Sequence, residues 1–140
     1  MIANKFDYFE VPADIGVRVW GNSINEIFMN AALAVTNLMI NPKYIEKKIL
    51  KEIEIIGNDL SSLLVNWITE ILVIRDSEEI LFSSFEIEIS RDQKSLNAKA
   101  WGNYIKGIPL EMDIKAITYS MFKFEEINEN NFYLQFVLDI

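Results

Sequence analysis

The sequence contains no cysteine and no histidine. The absence of cysteine excludes disulfides, thiolate nucleophiles and zinc–thiolate sites together. The absence of histidine removes the commonest general base, every Ser-His-Asp arrangement and imidazole metal ligation. Cationic residues are scarce as well: 13 Lys and Arg stand against 21 Asp and Glu, for a net charge of −8. Nucleic-acid affinity rests on cationic side chains that displace counterions, so strong direct binding of RNA or DNA is not expected. A basic protein, or a cation held by carboxylates, suits this surface better, although acidity alone also serves solubility. No long apolar run is present: the stretch Leu60 to Ile74 is broken by Asn66 and Glu70 and is too short and polar to span a bilayer. Met1 to Glu10 has no apolar segment behind a basic start, so nothing reads as a secretory signal. A soluble cytoplasmic protein is the resulting expectation.

Hydrophobic residues make up 51% of the 140 positions, which is enough to close a core and argues against disorder. With no repeat, low-complexity tract or Gly/Ser-rich linker, residues 1–140 read as a single domain. Two segments have helical periodicity. The first opens at Ser23-Ile24-Asn25-Glu26, a Ser-x-x-Glu capping box, and carries Ile24, Ile27, Phe28, Ala31, Val35, Leu38 and Met39 on one face until Asn41-Pro42 stops it. The second follows the Asn58-Asp59 cap and carries Leu60, Leu63, Leu64, Trp67, Ile68, Ile71 and Leu72, a stripe that reads as core. Alternation predicts strands at Phe6–Val11, Ile15–Trp20, Ile53–Ile55, Phe85–Ile89, Leu96–Trp101, Ile114–Glu125 and Phe132–Ile140, with a turn-rich stretch from Gly102 to Pro109. The order is two strands, helix, strand, helix and about four strands. It predicts an α+β fold: a mixed, mostly antiparallel β-sheet with two amphipathic helices packed on one side.

Carboxylates are the abundant reactive groups. Glu52, Glu54, Glu86 and Glu88 fall on the wet faces of alternating strands and read as solvated charge. Two others differ. Asp14 follows Pro12-Ala13 in a short turn before an apolar strand, and Asp139 adjoins Ile140, whose α-carboxylate is close to it. Like charges held close repel, and a bound cation relieves this; hard cations such as Ca²⁺ or Mg²⁺ take carboxylate, carbonyl and water oxygens. The plainer reading of these residues is a turn aspartate and a solvated tail.

Five short segments, in order, resemble the archease family. Pro12-Ala13-Asp14-Ile15-Gly16, followed by an apolar strand and Gly21, is similar to the family's opening His-Thr-Ala-Asp-Ile-Gly. Leu63 to Leu72 is similar to its second helix, and Ile80-Leu81-Phe82 with Phe85-Glu86 to the strand after it. Lys115-Ala116-Ile117-Thr118-Tyr119 matches the Lys-Ala-x-Thr-Tyr segment, and Leu138-Asp139-Ile140 the terminal Leu-Asp-Ile.

This resemblance implies an accessory protein rather than an enzyme: an activator of an RtcB-type tRNA-splicing RNA ligase, promoting guanylylation of the ligase and multiple turnover. It implies a divalent metal, calcium with magnesium or manganese as alternatives, on the positions here held by Asp14, Asp139 and Ile140. Lys115 falls on the family's lysine and reads equally well as an ordinary strand-edge lysine. Val11, Ile108 and Ser120 stand where the family has histidines, which removes imidazole from any supporting role without touching the oxygen ligands. The competing readings are a metal-independent protein-binding or chaperone-like module and a carboxylate–metal hydrolase. The hydrolase ranks last, because no positioned base, nucleophile or phosphate loop accompanies the aspartates.

Overall fold

Each helix starts where a side chain satisfies its first amides. The computed structural model describes residues 5–140, and Met1 to Asn4, with part of the leader reading, lie outside the described residues. The chain runs β1 (Phe6–Val11), β2 (Asp14–Gly21), α1 (Ile24–Met39), a short 3₁₀ turn (Pro42–Tyr44), β3 (Ile49–Ile56), α2 (Leu60–Glu78), β4 (Ile80–Ile89), β5 (Ser95–Tyr104), β6 (Ala116–Asn128) and β7 (Asn131–Asp139). At α1, Ser23 Oγ accepts from the Glu26 amide at 3.1 Å. The Glu26 carboxylate accepts from the Asn22 amide at 3.2 Å rather than from Ser23, so the expected box closes one residue further out. At α2, the Asp59 carboxylate accepts from the Ser62 amide at 2.8 Å while Ser62 Oγ accepts from the Asp59 amide at 3.1 Å. Here serine completes the reciprocal pair.

The amide of Ser62, and then its hydroxyl, hold the Asp59 carboxyl below the usual carboxylate range. A depressed folded pKa gives stability that is present above the unfolded pKa and is lost as pH falls through the folded one. Asp59→Ser keeps a capping oxygen but no charge. It is therefore expected to match the wild type closely near neutral pH and to lose less stability on acidification, measured as thermal midpoints across a pH series from 7 to 2.

The expected α+β class and element order are what the chain adopts. The strands divide, however, into two sheets, β1-β2-β7-β6 and β3-β5-β4, with every pairing between neighbours antiparallel. Alternation in a strand specifies its buried face but not its neighbour, and so the sequence pattern reads as one sheet. The helices also touch both sheets: α1 packs on β2 of one and β4 of the other, and α2 on β6 and on β3, β4 and β5. Helix α1 is buried around most of its circumference, where Ala31, Ala32 and Ala34 let the layers approach closely. Trp67 of α2 is the largest buried side chain. Its indole N–H donates to the Phe28 carbonyl at 3.0 Å, and its ring meets Phe85 edge-on at 5.7 Å.

Two further differences are local. Helix α2 continues past the stripe that ends at Leu72 and stops at Glu79, which takes a left-handed conformation and donates its amide to the Arg75 carbonyl. Gly102 is not in a turn: it is a buried residue of β5 opposite Phe82 and Ile49.

In the four-stranded sheet, Val17, Val19, Leu134, Phe136 and Leu138 point into the core. Because side chains alternate across a strand, Asp14, Gly16, Arg18 and Trp20 of β2, and Asp139, Val137, Gln135 and Tyr133 of β7, lie on the sheet's outer face.

Candidate metal site

Asp14 is delivered by a two-residue hairpin loop, Pro12-Ala13, that pairs Val11 with Asp14. Proline fixes a negative φ at the first loop position, and Ala13 has φ 66 at the second, the sign combination of a type II turn. Glycine usually fills that second position, and alanine there costs roughly 1–2 kcal/mol. The same turn type fits the twist of a two-residue hairpin poorly. The backbone strain is thus concentrated on the residue that precedes Asp14.

Across the next ladder, Asp14 sits directly opposite Asp139, and Asp139 in turn sits opposite Ala116 of β6. Directly opposed residues place their Cβ atoms about 4.5–5.5 Å apart on one face. The two aspartates from opposite ends of the sequence are therefore neighbours at one end of the outer face. Both are half-buried. The Lys115 amide donates to the Asp139 carbonyl at 2.8 Å, which brings that lysine to the same corner with an exposed side chain. Among the described residues the ion pairs are Arg18–Asp7, Lys48–Glu46, Lys51–Glu78 and Arg75–Asp76. Among these described residues no cationic side chain pairs with Asp14 or Asp139, Lys115 included.

Two uncompensated carboxylates on neighbouring strands are a donor set that fits a hard cation. Among the described residues no group of three or more acidic side chains converges to hold a metal, so this pair would need main-chain and water oxygens to complete a coordination shell. Ile140 follows Asp139 at the same corner and is 40% exposed.

Of the three positions that the resemblance assigns to histidines, Val11 and Ser120 lie at or beside this corner and Ile108 does not. Val11 is the ladder partner of Asp14. Ser120 lies beyond Thr118 in an irregular part of β6. Ile108 lines a separate cavity of about 380 Å³ beside Arg75, Leu110 and Met112. The four strand glutamates bear out their reading as exposed charge: Glu52 and Glu86 flank Lys99, and Glu54 and Glu88 flank Asn97, on the wet face of the three-stranded sheet.

The sequence reading missed Gln135, which is 9% exposed although it lies on the outer face. Its amide nitrogen donates to the Met121 carbonyl at 2.8 Å, and its amide oxygen accepts from the Tyr133 hydroxyl at 2.7 Å. No local pattern could have flagged it, since a glutamine in an alternating strand looks like any wet-face residue.

Comparison with known proteins decides the family. The model of the Archease protein family matches residues 6–140. The chain belongs to the archease family. The archease of Sulfurisphaera tokodaii is 43% identical over 139 residues, covering 97% of this chain and 99% of that protein. The archease of Pyrococcus abyssi is 39% identical over 141 residues, with the same coverage. The archease fold is shared with the solution structure of Methanobacterium thermoautotrophicum protein 1598, at a TM-score of 0.84 and 32% identity over 97% of this chain and 99% of that one. Among the described residues no helix is long and apolar enough to cross a membrane.

Proposed function

We propose that this archease is an accessory activator of an RtcB-type tRNA-splicing RNA ligase in the cytoplasm, promoting guanylylation of the ligase and so its repeated turnover. The observation that carries this reading is the cross-strand pair Asp14–Asp139, without a counter-cation among the described residues, in a chain of the archease family. Asp14 and Asp139 contribute carboxylate oxygens and Ile140 a main-chain oxygen to a divalent metal, calcium in the first instance. The bound ion supplies the positive charge that cancels the repulsion between the two aspartates. Lys115, tied to the Asp139 backbone, sets the position of β6 against that corner and keeps its ammonium free for an anionic group of the partner.

A net charge of −8 suits a basic ligase surface and disfavours competition for the RNA itself. The test is the rate of ligase guanylylation and RNA joining at limiting ligase, with and without this protein. Several-fold acceleration of the second and later turnovers is the expected result. Equal rates, with the protein folded and the metal present, would reject the activator reading.

A further inference from the structure

We infer that the irregular segment Tyr119–Phe122 of β6 is the docking surface on which the RNA ligase is seated beside the carboxylate pair, an inference that rests on the function proposed above. Between Thr118, opposite Val137, and Lys123, opposite Gln135, β6 spends five steps where β7 spends two, so extra chain loops out of the ladder. Bulges of this kind re-aim side chains and end strand pairing, and they recur beside functional sites.

This bulge is held rather than loose. Gln135 binds the Met121 carbonyl, the Thr118 hydroxyl donates to the Val137 carbonyl at 3.1 Å, and the Ser120 amide donates to the Thr118 hydroxyl at 3.2 Å. Met121 has φ 55, a left-handed conformation that a methionine adopts only where its surroundings impose it. A buried glutamine and a strained backbone are thus committed to presenting Tyr119 and Met121, which are 57% and 53% exposed. An aromatic and a methionine with this much surface in water are the side chains that protein interfaces favour.

Position and charge select the occupant. The bulge begins directly after Thr118, whose partner Val137 lies two residues, or about 7 Å, along β7 from Asp139. Apolar bulge and bare carboxylates therefore form one continuous corner. A second copy of the chain seated there would bring like charges together in an already acidic protein, whereas a partner with a cationic pocket and an apolar rim would match both parts. Under the function proposed above, that partner is the RNA ligase.

The test uses the full chain and purified ligase, with calcium present, and reads the equilibrium dissociation constant. The double variant Tyr119→Ser/Met121→Ser removes only exposed side chains. It should bind the ligase at least tenfold more weakly while keeping the wild-type melting temperature and calcium affinity. Ile56→Ser, at a 77% exposed position on the other sheet, should bind as the wild type does. If the wild type binds the ligase and the double variant binds equally well, this docking surface is wrong while the activator reading stands. If the wild type does not bind the ligase at all, the activator reading fails and this inference with it. If the double variant instead abolishes self-association with unchanged ligase affinity, a second copy covers the bulge and the inference is overturned.

Discussion

Asp14→Asn and Asp139→Asn should each eliminate saturable calcium binding and ligase activation while leaving the metal-free protein as stable as the wild type or more so. The two carboxylates are direct cross-strand neighbours without a cation among the described residues. Opposed like charges cost roughly 0.2–1 kcal/mol, so neutralising one should raise the melting temperature in chelator. With calcium added the order should reverse, because the wild type gains binding free energy that the variants cannot. Loss of a direct oxygen ligand should weaken the metal by more than the roughly 10–100-fold that loss of a hydrogen-bonded supporting group costs. The measurement is the thermal midpoint of all three proteins in chelator and in millimolar calcium. Variants that melt below the wild type in chelator would mean the aspartates hold the fold. A wild type whose midpoint ignores calcium would remove the metal from the reading.

The largest loss of stability is expected at Gly102→Ala. Gly102 is buried in β5, and a Cβ there would run into the Leu81 carbonyl oxygen and lie 2.7 Å from Phe82 Cα, both main-chain atoms of β4. The register of β4 against β5 slips at this point, between Phe82 and Ser84. Backbone cannot rotate aside as a side chain can, so the strands must separate where Lys48 also donates to the Gly102 carbonyl at 2.9 Å. The expected cost is about 3 kcal/mol or more, against a total of roughly 5–15 kcal/mol for an ordinary domain. Gly107→Ala is the matched comparison. Gly107 has φ 81 but nothing within 4 Å of an added Cβ, so only the left-handed backbone penalty of roughly 1–2 kcal/mol applies. Urea midpoints with unchanged slope would measure both. A Gly102→Ala variant no less stable than Gly107→Ala would show that β4 yields at its irregularity.

How much of this was readable beforehand depends on the range of the interaction. Ser23 and Asp59 announced both helix starts, because a cap is completed within three residues. The second helix's far end was not announced: Val73 to Glu78 continue past the last regular apolar position, and the stop is a left-handed Glu79 rather than a glycine. Gly102 looked like punctuation and proved to be a close strand contact, a difference that only the neighbouring strand can make. Asp14 stood out by its turn and Asp139 by its place beside Ile140. That they face each other required the pairing of β2 with β7.

The sequence by itself determined the chemistry available: without histidine or cysteine, a hard-cation site must be built from oxygen ligands, on a chain of net charge −8. It also determined where the helices start, the element order and the core-facing side of the alternating strands, all properties of residues a few positions apart. The tertiary structure alone decided that the strands form two sheets, that two aspartates from opposite ends of the chain share one corner, and that Gln135 holds a strained bulge beside them. Periodicity records which way a side chain faces. It carries no record of which distant strand lies alongside, and the pairing that assembles this site is set only when the whole core closes around both helices.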